Sequence, residues 1–140
     1  MFDWIRGRRE VLTEFADNES AFDHACSLHY PLLLNACIPA LVMEEGHRGV
    51  DGERWFRLHI ACEEGVRDIW APTMSEAPAY PAVGDLVGFR IVRIATELPD
   101  DASLVGYIYC RLEPVLNSRK GWHISTSFKP DNLKHELHLG

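Results

Sequence analysis

Residues 54–62, Arg-Trp-Phe-Arg-Leu-His-Ile-Ala-Cys, constrain the fold more than any other stretch of this chain. Phe56, Leu58, Ile60 and Cys62 alternate with Trp55, Arg57, His59 and Ala61. That period of two places successive side chains on opposite faces of a strand, whereas a helix would scatter the same apolar residues around its axis. Glu63, Glu64 and Gly65 follow as a tight hairpin loop, with Gly65 suited to the positive φ of a bulge. Val66–Trp70 then returns as a second strand, so the chain must contain antiparallel sheet.

Three further runs extend this reading, with a fourth at the end of the chain. Ile38–Glu45 is a short apolar run that ends in charge, and Leu86–Glu97 is long and rich in β-branched residues. Gly88 inside the latter predicts a bend or bulge, a device that curls a sheet toward a barrel. Leu104–Glu113 alternates again, with Ile108, Cys110 and Leu112 opposite Val105, Tyr107, Tyr109 and Arg111. Trp122–Phe128 supplies a last short strand. The connections are the Gly-rich segment Gly46–Gly52, the stretch Ala71–Asp85 with Pro72, Pro78 and Pro81, and a turn at Pro99, Asp100 and Asp101.

The N-terminal part has a different period. Trp4, Ile5, Val11, Leu12 and Phe15 fall at helical spacing over residues 2–15. A second helix starts at Asp17 or Asn18 as N-cap and carries a stripe of Phe22, Ala25, Cys26 and His29, with Pro31 as its stop. The expected fold is therefore α+β, mainly β. Helices over residues 1–30 pack on an antiparallel meander of about six strands spanning 36–128, and a polar tail covers 129–140. Successive hairpins and the Gly88 bend favour a partly closed small β-barrel, SH3-like or OB-like, in one domain, and the entry Gly84-Asp85-Leu86-Val87 suits such a barrel.

Several chemistries find no support in the residues. The four cysteines, Cys26, Cys37, Cys62 and Cys110, form no CxxC pair and have apolar neighbours, which reads as buried reduced thiols rather than two disulfides. His24, Cys26 and His29 invite a zinc reading, but on a helix Cys26 and His29 share a face that His24 leaves, and a tetrahedral ion needs a fourth ligand. His135 and His138 lie at an end that frays. No metal or other cofactor is expected. The doublets Glu44-Glu45, Glu63-Glu64 and Asp100-Asp101 fall at strand ends, where adjacent residues point to opposite faces and make no catalytic pair. No GxSxG elbow and no phosphate-loop spacing occurs. No apolar stretch follows the arginines near Met1, and the run from Pro31 to Met43 is too short to cross a bilayer, so no membrane role and a cytoplasmic location are expected.

One face is left. Trp55, Arg57 and His59 lie opposite the core on one strand, and Tyr107, Tyr109 and Arg111 do so on another, joined by Arg90 or Arg93. Aromatic rings interleaved with arginines are the composition of a protein–protein hot spot. The expectation is an interaction or regulatory module that binds a protein partner through these six residues, and not an enzyme. A net charge of −7 disfavours a phosphate backbone. Two alternatives stay open: single-stranded nucleic acid stacked on the same rings, and a small enzyme using His59 or His123 near Gly46–Gly52. A third possibility is that the face merely seats Trp4, Phe15 and Phe22 of the helices.

Overall fold

A computed structural model describes residues 10–47, 54–73, 80–98, 101–125 and 136–137 of the chain. Along the sequence these form β1 (Leu12–Glu14), α1 (Asn18–Ser27), β2 (Cys37–His47), β3 (Arg54–Cys62), β4 (Gly65–Pro72), β5 (Leu86–Leu98), β6 (Asp101–Asn117), β7 (Gly121–Ile124) and β8 (Glu136–Leu137). Together the strands make one antiparallel sheet in the order β4-β3-β2-β5-β6-β7-β8, with β1 pairing β6 off that path. The protein is mainly β with a single described helix. No described helix is long and apolar enough to cross a membrane.

Alternation along the central strands divides the core into two clusters on opposite faces of the sheet. Ile38, Ala40 and Val42 of β2, Phe56, Leu58 and Ile60 of β3, and Val87, Phe89 and Ile91 of β5 fill the first. Leu41, Ala61, Leu86, Cys110, Leu112, Trp122 and Ile124 form the second, which α1 covers with Ala21, Phe22 and Ala25. Trp122 is fully buried there; its Nε1–H donates to the Tyr30 hydroxyl at 2.9 Å, and its ring stacks with Phe15 at 5.7 Å. Burial without that acceptor would strand a donor, so Tyr30 completes the packing.

The helix begins where its cap chemistry dictates. Asp17 is extended and its Oδ1 accepts the Ser20 N–H at 2.7 Å, which also holds the Asp17 carboxyl below the usual carboxylate range. Its end does not wait for Pro31: α1 stops at Ser27, and His29 takes a left-handed φ of 52°. His29 is consequently exposed and leaves the apolar stripe, which reduces to Phe22 and Ala25 with Cys26 half-buried.

Other expectations also need correction. The helix expected over residues 2–15 lies partly outside the described residues, and its described end is a strand: Leu12, Thr13 and Glu14 pair with Asn117, Leu116 and Val115. Among the described residues eight strands occur rather than about six, because β1 and β8 add short pairs. Within the expected polar tail 129–140, Glu136 pairs with His123 and Leu137 with Trp122. Ala71 and Pro72 belong to β4, not to the following loop. The strand expected over Trp122–Phe128 ends at Ile124, and its last residues lie outside the described ones. The sheet is not closed into a barrel. Among the described residues its path is open from β4 to β8, and a parallel bridge, Thr73 to Ile108, joins the end of β4 to β6.

A bulge does occur beside Gly88, between Gly88 and Phe89 in the β5–β6 ladder, and the extra residue is Tyr109 on the other strand. This insertion changes the alternation of β6. Ile108 stays in the first cluster, while Cys110 and Leu112 cross to the second. Gly88 has a different task. A Cβ there would stand 2.9 Å from the Cys37 sulfur and 3.0 Å from the Cys110 sulfur, so only glycine leaves both thiols room.

Candidate interaction face

On β3 the strict alternation holds, and Trp55, Arg57 and His59 stand half-buried opposite the buried Phe56, Leu58 and Ile60. The two-residue turn at Glu63 and Glu64 sets the register of β4, so that Trp55 faces Pro72, Arg57 faces Trp70 and His59 faces Asp68. On the other side β2 brings Gly46 opposite Trp55, Glu44 opposite Arg57 and Leu41 opposite His59. Met43 is the extra residue of a bulge between Val42 and Glu44. Val42 faces the core, so without that insertion Glu44 would follow it inward; with it, Glu44 stands beside Arg57.

These neighbours fix the geometry of the face. Arg57 Nε donates to both carboxylate oxygens of Asp68 at 3.0 Å, and its Nη1 reaches Glu44 Oε2 at 3.5 Å. Hydrogen bonding to Asp68, then its charge, and less so Glu44, push the guanidinium further toward its charged form. Trp70 reaches across β3: a Cβ on Gly46 would stand 3.0 Å from its Cζ3 and 3.1 Å from its Cη2. Gly46 thus provides the floor on which the indole lies. The result is a half-buried aromatic surface of Trp55 and Trp70 around an arginine held in place by two acids. A planar guanidinium fixed in this way loses little freedom when a partner docks against it.

The β6 residues form a separate group. Arg90 pairs with Tyr107, and its guanidinium lies 5.2 Å from the Tyr109 ring centroid, while the two tyrosine rings are 6.1 Å apart. Arg111 does not join them. Its ladder partner is Val87, a residue of the first core cluster, and its Nη2 donates to Ser125 Oγ at 3.2 Å with Nη1 3.6 Å from Asp85. The Tyr109 bulge causes this, because the extra residue turns Arg111 to the face opposite Tyr107. Arg93 pairs with Val105 further out on the β5–β6 hairpin and is exposed.

Through the ladder β3 and β6 are separated by β2 and β5. The Thr73–Ile108 bridge gives another route. It sets the strand that carries Pro72, the partner of Trp55, beside the one that carries Tyr107 and Tyr109. The six residues named from sequence therefore form two groups, Trp55/Arg57/His59 and Tyr107/Tyr109, with Arg111 elsewhere. Helix α1 covers the second cluster near Leu41 and Ala61 but not Trp55, which lies at the other end of β3. Trp4 lies outside the described residues. Trp70, Glu44, Asp68 and Gly46 are the residues that sequence reading missed, although the short turn at Glu63–Glu64 already implied Trp70 opposite Arg57.

The histidines considered for acid–base chemistry stand on separate strands: His59 between Leu41 and Asp68, and His123 on β7 opposite Glu136. Of the segment Gly46–Gly52 only Gly46 and His47 fall within the described residues. Comparison with models of known families, with curated proteins and with solved structures finds no match to this chain.

Proposed function

We propose that this protein is an interaction module that binds a protein partner through the outer face of β2, β3 and β4. The observation that carries this reading is Trp70 laid across Gly46 beside Trp55 and a doubly anchored Arg57. Tryptophan and arginine dominate the residues that supply most binding energy at protein interfaces, and they do so when pre-positioned near the centre of a patch. Two half-buried indoles on a sheet face that the described helix leaves uncovered match that description.

A protein partner fits better than nucleic acid. Arg57, the cation at the centre of the face, is neutralised by Asp68 and Glu44, leaving no net positive charge for a phosphate backbone within a chain of net charge −7. We further infer that the curl marked by the Thr73–Ile108 bridge belongs to a partly closed small barrel of SH3-like or OB-like kind, and that the protein works in the cytoplasm. Supporting the latter, none of its four cysteines is disulfide-bonded.

The test is partner capture by in-cell crosslinking with wild type, Trp55→Ala, Trp70→Ala and the exposed control Val11→Ser beside β6, each first shown folded by circular dichroism. One protein recovered with wild type and Val11→Ser, and lost with both tryptophan variants, is the expected result. Equal recovery with all four chains overturns the reading. So does capture of nucleic acid whose affinity falls steeply with salt.

A further inference from the structure

Arg90 and Arg93 stand apart from most cations of this chain. Arg54, Arg57, Arg67, Arg111 and Lys120 each pair with a carboxylate, whereas among the described residues no ion pair involves Arg90 or Arg93. On an unbroken strand two residues three positions apart point to opposite faces. Here Val92 is the extra residue of a bulge, and the ladder runs Arg90 to Tyr107, Ile91 to Gly106 and Arg93 to Val105. Arg93 therefore returns to the face of Arg90, two ladder positions further out and about 6.8 Å away along the strand. Tyr107 and Val105, the two cross-strand partners, share that face. A Cβ on Gly106 would collide with the Arg90 carbonyl oxygen and the Phe89 ring, so the strands are packed tightly between the two arginines. The Arg90 guanidinium lies 5.2 Å from the Tyr109 ring centroid, held by an aromatic face that leaves its charge unneutralised.

We propose that Arg90, Arg93 and Tyr107 bind an extended acidic segment of another protein, one that carries carboxylates at alternate positions. In an extended chain residues i and i+2 point the same way about 6.8 Å apart, which is the separation of the two arginines along β5. Each guanidinium accepts one carboxylate through two parallel hydrogen bonds. Val105, 47% exposed, and the half-buried Tyr107 ring supply apolar contact for the side-chain stems between them. This site shares no residue with the face of β2, β3 and β4 and adds a second contact to it. Single-stranded nucleic acid suits the site less well. The Tyr109 face that a base would need is covered by Arg90, and a chain of net charge −7 repels a long polyanion more than a segment with two charges.

The experiment is an amide-resolved NMR titration of the full-length chain with three probes. These are the capped peptide Thr-Thr-Glu-Thr-Glu-Thr-Thr, its isomer Thr-Thr-Glu-Glu-Thr-Thr-Thr with adjacent acids, and an oligothymidylate. The alternating peptide is expected to shift the signals of Arg90, Arg93, Val105 and Tyr107 in wild type, a result that needs no variant to fold. The isomer, whose acids point to opposite sides, should bind about fivefold more weakly, the loss of one exposed charge pair. Arg90→Gln and Arg93→Gln should each cost about fivefold, and the double variant about 25-fold, since independent contributions multiply. Arg119→Gln makes the same change of charge at an exposed arginine beyond the far end of β6, and it should bind as wild type does. The proposal is overturned by an absence of shifts at these four residues, by equal affinity for the two peptides, or by equal affinity in wild type and the double variant. Tighter binding of oligothymidylate than of the alternating peptide at the same residues also overturns it.

Discussion

One face of this sheet is used in two ways. At the end near Leu41, Ala61, Leu86 and Cys110 it is roofed by α1 and packed to complete burial around Trp122. At the other end of β2 and β3, and on β4, it carries Trp55, Arg57 and Trp70, all half-buried, with Arg57 ion-paired to Asp68 and Glu44 and Trp70 lying over Gly46. Both ends present large aromatic side chains, so hydrophobicity alone does not separate core from candidate interface. What separates them is the short reach of a ten-residue helix and the polar residues around each indole. The Trp122 indole donates its N–H to the Tyr30 hydroxyl and is otherwise packed among the apolar residues of the second cluster. Trp70 lies beside Arg57, Asp68 and Glu44.

The sharpest test of that contrast replaces one indole at a time. Trp122→Ala should destabilise the fold by about 3–5 kcal/mol, the usual cost of emptying a fully buried aromatic site, read from urea unfolding midpoints at constant m-value. Tyr30→Phe leaves the Trp122 N–H buried without its acceptor and should cost about 1–3 kcal/mol; a neutral result would mean that water reaches this end of the sheet. Trp70→Ala removes a half-buried ring and should cost only about 1–2 kcal/mol, while abolishing partner capture. If Trp70→Ala proves as destabilising as Trp122→Ala, the open face is core and the contrast fails.

The smallest effect concerns the start of the helical roof. Because the folded-state pKa of Asp17 is lowered by the Ser20 hydrogen bond, its contribution is present above the unfolded carboxylate range and is lost as pH falls through the lowered value. Wild type should therefore lose stability on acidification below about pH 4 more steeply than Asp17→Asn, a difference visible in melting temperatures collected across pH 2–6. Parallel acid profiles for the two chains would remove the cap from the account.

Sequence reading succeeds where alternation runs unbroken and fails where one residue is inserted. On β3 nothing interrupts the period, so Trp55, Arg57 and His59 separate cleanly from Phe56, Leu58 and Ile60. On β6 the Tyr109 bulge divides Ile108 from Cys110 and turns Arg111 away from Tyr107, and no residue type near it announces the insertion. Gly88 does announce it, but from the facing strand, and its glycine is required by two sulfurs as well. Leu12–Glu14 was unreadable for another reason: its partner segment, Val115–Asn117, is distant in sequence, and three residues carry too little pattern to distinguish a strand from the end of a helix. Trp70, by contrast, was within reach, since a two-residue turn fixes which positions of a hairpin meet.

The pairing of β1 with β6 has a kinetic consequence. Leu12 meets Asn117 across almost the whole described chain, and Val11 N–H is held at 3.0 Å by Ser118. During synthesis the first of these strands leaves the ribosome long before its partner exists, so it must wait unpaired until β6 is complete. Folding should accordingly begin in the local β3–β4 hairpin, where the turn is short, and end with β1, giving the slow rates typical of sheets built from distant contacts. The face with Trp55, Arg57 and Trp70 would then be formed early, and its roofed counterpart late.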